Sequence, residues 1–343
     1  MKSHVRTALV LLVAAGLVAL FLRNVDLVSV ASDIAHARPE WLALSLATAF
    51  INLAIRAYRW QYLLEPLGRT TFASAFRATA VGFAASTVLP ARAGEVIRPY
   101  FLARTAKTDD RMSATGAFAT IVVERVLDVI TVLTLVASYV FVFGRDMALT
   151  KPIAFAWLKG IGAVGAAGAA VTLVVLFLLA GDPKRLGRAT ERLARVVPSF
   201  ASAIASIVEK FARGLGAVRR PGRLFVALLW SFPLWLSIAL GLWSVTRAFQ
   251  LAVPFTGSFI VLAILVLGVA VPTPGAVGGF HAAFRYSTTA FFGAPDAAAV
   301  GAAIVAHLLS VGPSLLLGLL FAAQVGLNVE GLRRLARQAE HPA

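Results

Sequence analysis

The sequence contains no cysteine, which excludes disulfides, thiol nucleophiles and thiolate metal sites. Histidine is scarce as well. The five are His4, His36, His281, His307 and His341, and none has an H-E-x-x-H or similar metal-binding spacing. No metal and no cofactor is expected. Charge is sparse too: 14% of residues, with 16 acids against 32 lysines and arginines. A chain that is 59% hydrophobic, with a mean hydropathy of +0.83, does not read as a soluble enzyme. The excess of +16 could suit nucleic acid. In so apolar a chain it points instead to anionic lipid headgroups and to basic residues retained on the inner side of a membrane.

What the chain has in quantity is long uncharged runs. A run of roughly 20 residues matches the hydrocarbon thickness. The expected fold class is therefore an all-α polytopic integral membrane protein, with about 6–8 spanning helices plus broken or re-entrant ones. Residues 7–22 are uncharged and follow Lys2 and Arg6. Ser29-Val30-Ala31 would suit cleavage of a signal peptide, but Arg23 and Asp26 intervene, and a retained first span is preferred. Further spans are expected at 41–64, 114–143, 160–181, 224–246 and 297–327, with shorter apolar pieces at 72–89 and 282–293 and a helix-like piece at 95–105 that is too short to span. The run 248–280 is uncharged but too long for one span, and it breaks where Pro272 to Gly279 brings together two prolines and three glycines.

Residues 182–223 alone read as soluble. They carry ten lysines or arginines against three acids, with apolar residues such as Leu193, Val196, Val197, Phe200, Ile204, Ile207 and Phe211 at helical spacing. Amphipathic helices on the inner membrane surface are expected there. Nucleic-acid binding is the weaker alternative, because aromatic residues are few and no recognition module is present. The Lys/Arg bias puts this stretch and both termini in the cytoplasm.

The ionisable groups inside apolar sequence define the candidate site. The stretch Ser86 to Arg104 holds Arg92, Glu95, Arg98 and Arg104, with Pro90 and Gly94 bracketing the first arginine. Hydrocarbon tolerates charge and broken backbone only where they face protein or a water-filled cavity. The plain alternative is a cytoplasmic loop with arginines at the headgroups. In the second span, Asn52, Arg56 and Arg59 share one helical face. Snorkelling beside Trp60 and Tyr62 suits Arg59 well and Arg56 less well. Further along, Glu124 and Asp128 are four apart and share a face, with Arg125 beside them. They either neutralise one another or, two acids exceeding one base, recruit Arg92 or Arg98.

The two halves can be overlaid. Trp60 maps onto Trp243, Phe72 onto Phe255, Phe76 onto Phe259 and Ile121-Val122 onto Ile304-Val305, all at an offset of 183. Pro90 and Gly94 map onto Pro274 and Gly278 at an offset of 184. One membrane domain over 1–343 is expected, with repeat units of about 1–150 and 155–330 and the insert 182–223. Five membrane segments per unit would invert the second unit relative to the first, as in many transporters.

Four motifs occur in order: R-x-x-R-W at Arg56, L-P-x-R-x-G-E-x-x-R at Leu89, E-R-x-x-D at Glu124 and P-x-P-G-x-x-G at Pro272. In these the chain resembles, over nearly its whole length, the flippase-like membrane domain of bacterial lysylphosphatidylglycerol synthase. The resemblance implies Arg56, Arg59, Trp60, Pro90, Arg92, Gly94, Glu95, Arg98, Glu124, Arg125, Asp128, Pro274, Gly275 and Gly278 as signature positions. It departs in the second half. The family pattern P-G-G-x-G-x-x-E has Ala276 at its second glycine and His281 at its acid, and an arginine common in the last span is His307. No aminoacyl-transfer domain is expected, so the resemblance stops at the membrane region.

The expected function is a lipid flippase or transporter for an amphiphile with an anionic headgroup. Arg92 and Arg98, with Arg56, would hold phosphate. Glu95, Glu124 and Asp128 would hold those arginines in its absence. Arg59, Arg125, His281 and Arg285 complete the candidate binding set, and Pro90, Gly94, Pro274, Gly275 and Gly278 are the backbone breaks. The alternatives are a membrane-embedded transferase with Glu95 or Glu124 as general base, and a non-catalytic scaffold recruiting lipid-synthesis enzymes through 182–223.

Overall fold

The computed structural model describes residues 26–89, 93–105, 113–150, 152–181, 211, 214–217, 220–271 and 273–325. Among these, every regular element is a helix. In chain order they are α1 (Leu27–Ala35), α2 (Pro39–Leu64), α3 (Phe72–Val88), α4 (Gly94–Thr105), α5 (Ala114–Thr150), α6 (Pro152–Gly181), α7 (Pro221–Ala248), α8 (Ser258–Ala270), α9 (Gly279–Phe292) and α10 (Asp296–Gln324). Five of the described helices, α2, α5, α6, α7 and α10, contain segments long and apolar enough to cross a membrane. The five expected long spans within the described residues fall on these helices. The expected span 7–22, Pro90, Arg92 and most of 182–223 lie outside the described residues.

Local chemistry sets the helix starts. Pro39 and Pro221 open α2 and α7, where a missing N–H costs nothing. The Thr71 hydroxyl caps α3 by accepting from the Ser74 N–H. Trp60 and Trp243 sit on the long helices α2 and α7, and the break residues Pro274 and Gly275 form a short 3-10 turn ahead of α9.

Helices α2 and α7 lie antiparallel. At one end the Arg38 N–H donates to the Ala248 carbonyl at 3.1 Å. At the other, Arg223 pairs with Glu65 and donates to the Tyr62 carbonyl at 3.3 Å. Along the seam, Asn52 Nδ2 donates to the Leu234 carbonyl and the Ser237 hydroxyl at 2.9 and 3.1 Å.

The shorter helices form two hairpins, α3–α4 and α8–α9. Each closes on a pair of glycines. A Cβ on Gly94 would stand 1.7 Å from the Gly82 carbonyl oxygen, and one on Gly279 would stand 2.2 Å from that of Gly268. Only backbone fits at either crossing. The α3–α4 hairpin follows the end of α2 and the α8–α9 hairpin follows the end of α7. Because α2 and α7 run in opposite directions, the hairpins enter the bundle from opposite ends. Their tips touch: a Cβ on Gly275 would meet Thr87 Cγ2 at 3.3 Å.

Buried apolar side chains group around the two halves, with Ala322 of α10 joining the first group and Val132, Leu135 and Val136 of α5 joining the second. One cluster, with Trp60, Leu64, Val81, Ile97, Phe101 and Ile121, packs α2–α5 together. A larger one, with Leu234, Phe259, Ile260, Phe280, Phe284 and Val300, joins α7–α10.

Candidate functional site

Seven ionisable residues of α2, α4 and α5 form one cluster, most of it a chain of alternating sign. Arg98 Nη1 donates to Glu124 Oε2 at 2.8 Å. Glu124 Oε1 lies 3.4 Å from Arg59 Nη2, and Arg59 Nη1 donates to Asp128 Oδ1 at 2.7 Å. Asp128 Oδ2 is 3.3 Å from Arg125 Nη2, and Arg125 Nη1 is 3.8 Å from Glu95 Oε1. Arg56 hangs off this chain, with Nη1 4.0 Å from Asp128 Oδ2. The four arginines exceed the three acids by one positive charge.

Each residue arrives there for a local reason. Arg56 and Arg59 lie one turn apart on the face of α2 turned to α5 and α7. Glu124 and Asp128 lie one turn apart on α5. Arg98 comes from α4, and its stem needs Gly82: a Cβ there would meet Arg98 Cβ at 2.7 Å. Burial is deep at the centre, where Arg59 and Glu124 have no exposure and Asp128 is 4% exposed. It falls off at Arg125 and Glu95, whose side chains are 38% and 34% exposed. A charge sealed from water must be paired or solvated by protein dipoles. Neutral groups add to the pairing. The Ser231 hydroxyl accepts from Arg59 Nη1 at 2.6 Å, and Trp235 Nε1 donates to Asp128 Oδ1 at 2.9 Å. The Trp60 indole lies under Arg98, 3.8 Å from the guanidinium carbon to the ring centre, and its Nε1 donates to Thr120 Oγ1 at 2.9 Å.

Several expectations change. Arg59 does not snorkel; it is the most deeply buried of the cluster's arginines and its central link. Glu95 does not hold Arg98 but faces Arg125, and Glu124 is the acid on Arg98. The recruitment of Arg98 by the acids of α5 is present; Arg92 lies outside the described residues. Trp60, which reads as an interfacial anchor, is fully buried. Ser231, Trp235 and Thr120 were not singled out from sequence. The available signal was periodicity, since Ser231 and Trp235, like Thr120 and Glu124, are four residues apart and share a face.

The second-half candidates form a different, neutral constellation. His307 Nε2 donates to the Gly275 carbonyl at 2.7 Å, and the Gly278 N–H donates to His281 Nδ1 at 3.3 Å. The two imidazole rings are 4.6 Å apart. Gly275 and Ala276 both adopt positive φ, +60° and +57°. Arg285 is held by Asp296 through two hydrogen bonds of 2.7 and 2.6 Å, which ties α9 to α10. No group of three histidine or acidic residues suited to a metal ion occurs among the described residues.

The family model described as the lysylphosphatidylglycerol synthase TM region matches residues 7–318. No curated protein matches the chain.

Proposed function

The chain belongs to the family of the lysylphosphatidylglycerol synthase transmembrane region, and from that premise we propose that it moves an amphiphile with an anionic headgroup across a bacterial inner membrane. A function tied to membrane lipid is what the family gives. The finer reading names a flippase or transporter, with a phospholipid or a polyprenyl-phosphate-linked intermediate as substrate.

One observation carries it. The buried alternating chain has one more arginine than acid, and the edge of Arg98 away from Glu124 has no hydrogen-bond partner among the described residues. Such a cluster favours an anion, and its acids compete with that anion for the same guanidinium groups. Competition of this kind gives the substrate a different affinity for two arrangements of the bundle, which alternating access requires. Two hairpins entering from opposite ends support an inverted repeat, with 182–223 and both termini cytoplasmic.

The transferase reading is less well supported. Both oxygens of Glu124 are engaged by guanidinium groups, and Glu95 faces Arg125 at 3.8 Å, so each of the two candidate bases is paired with an arginine. The test is reconstitution of the purified chain into vesicles carrying fluorescent phosphatidylglycerol on one leaflet. Movement of the label to the other leaflet without chemical change supports the proposal. A modified lipid, or no movement in any anionic lipid tried, would overturn it.

A further inference from the structure

We infer that Arg98 holds one oxyanion of the phosphate class through the edge formed by its Nε and Nη2, and that Trp60 is the residue that positions it. This rests on the lipid reading above for the source of the oxyanion, but not for its chemistry.

The argument starts from the donors. A guanidinium carries five N–H groups in a planar fork and has no acceptor. Arg98 is 4% exposed, so water does not serve these donors freely. Nη1 is given to Glu124. One face of the plane is against Trp60. What remains is the Nε–Nη2 edge, and neither nitrogen has a hydrogen-bond partner among the described residues. That edge presents two parallel N–H groups, the spacing that two oxygens of one phosphate accept.

Arg59 shows the contrast. Its Nη1 serves Asp128 and Ser231 and its Nη2 serves Glu124, which leaves Nε alone. No two-donor edge is left, so Arg59 is a structural link. Besides Arg125 Nε and Asp128 Oδ2, which face each other's side chains across a 3.3 Å ion pair, two further buried groups lack hydrogen-bond partners. Arg56 Nε is one, on the arginine that supplies the excess charge. Thr79 Oγ1 is the other, one turn before the Gly82 that admits the Arg98 stem. A singly charged phosphodiester balances that excess charge.

Trp60 fixes the plane in which the edge points. Its ring carries the guanidinium, and its own Nε1 is tied to Thr120 on α5. Phenylalanine at this position would keep an aromatic face and lose the tether.

The experiment measures dissociation constants of the full chain in micelles for fluorescent phosphatidylglycerol and for a fluorescent neutral monoglucosyl lipid. The wild type, Arg98→Lys, Trp60→Phe and the control Arg247→Lys, at an exposed position of α7, are compared, each checked for a monodisperse, helical state. Lysine keeps the charge and loses the fork. Arg98→Lys should weaken phosphatidylglycerol about tenfold or more, with the neutral lipid unchanged. Trp60→Phe should lower the same ratio by several-fold, whereas a merely structural role would weaken both lipids together. Arg247→Lys should leave the ratio alone.

Inorganic phosphate as competitor separates the sources. Displacement of the lipid by millimolar phosphate assigns the site to free phosphate, and resistance assigns it to the lipid headgroup. Wild-type discrimination in a folded Arg98→Lys protein sinks the assignment. If that variant does not fold, an unchanged ratio in Trp60→Phe sinks it equally. A wild type that binds phosphatidylglycerol but never moves it defeats the transport reading and leaves this site standing.

Discussion

Arg59 Nη2 and Glu124 Oε1 stand 3.4 Å apart with both side chains wholly sealed from solvent. The contacts on either side are shorter, 2.7 Å from Arg59 to Asp128 and 2.8 Å from Arg98 to Glu124. Each partner therefore leans outward, Arg59 toward Asp128 and Glu124 toward Arg98. Glu124 is the joint through which α2, α4 and α5 are held together.

Glu124→Gln keeps the shape of the joint and removes its charge, leaving two buried guanidinium groups short of a counter-ion. Breaking one partner out of a buried pair costs about 3–5 kcal/mol. Thermal unfolding in detergent should show a large loss of stability. Glu65→Gln removes the partner of Arg223 at a position 57% exposed, where pairs contribute about 0–1 kcal/mol. Equal melting of the two variants would show that Glu124 is not the joint.

Gly94→Ala should fail to assemble. Its new methyl would stand 1.7 Å from the Gly82 carbonyl oxygen, in contact with backbone that cannot turn aside. Overpacking of this kind costs about 1–3 kcal/mol and can cost more. Gly168→Ala on α6 meets nothing within 4 Å and should be neutral or mildly stabilising, since alanine favours a helix over glycine. Expression and size-exclusion profiles of the two proteins decide the matter.

Ala276→Gly should stabilise. Alanine at φ +57° brings its Cβ against the following carbonyl, at a cost of about 1–2 kcal/mol. Glycine removes that strain and returns part of the gain as unfolded-state entropy. A net gain of about 1 kcal/mol should appear as a higher unfolding midpoint. An unchanged or lower midpoint would mean that the left-handed turn is not strained.

Single cysteines report topology cleanly in a chain that has none of its own. Gly222 and Ala252 are both exposed and lie at opposite ends of α7. In intact cells an impermeant thiol reagent should label Ala252→Cys and spare Gly222→Cys. The reverse pattern would overturn the orientation proposed for the protein.

The long helices were legible because an uncharged run of membrane length has few other uses, and the breaks because proline and glycine cannot continue a helix. Half of the charged chain was legible as well. Glu124 and Asp128 share a face by spacing alone, and their need for a base pointed to Arg98. The pairing through Arg59 was not legible, since it depends on how α2 and α5 align, and these residues are 65 positions apart. Position misled there: Arg59 stands beside Trp60 near a helix end, the usual signature of an anchor at the lipid surface. Ser231 and Trp235 gave less warning still, because a neutral polar group in an apolar helix shows its purpose only once its charged partner is opposite it, Arg59 for Ser231 and Asp128 for Trp235.

The contact between Gly275 and Thr87 makes the two hairpin tips share one abutment. Neither tip can be withdrawn or advanced without changing the load on the other. A side chain larger than hydrogen at Gly275 acts as a wedge at that abutment, so a substitution in one half of the chain presses directly on a residue of the other.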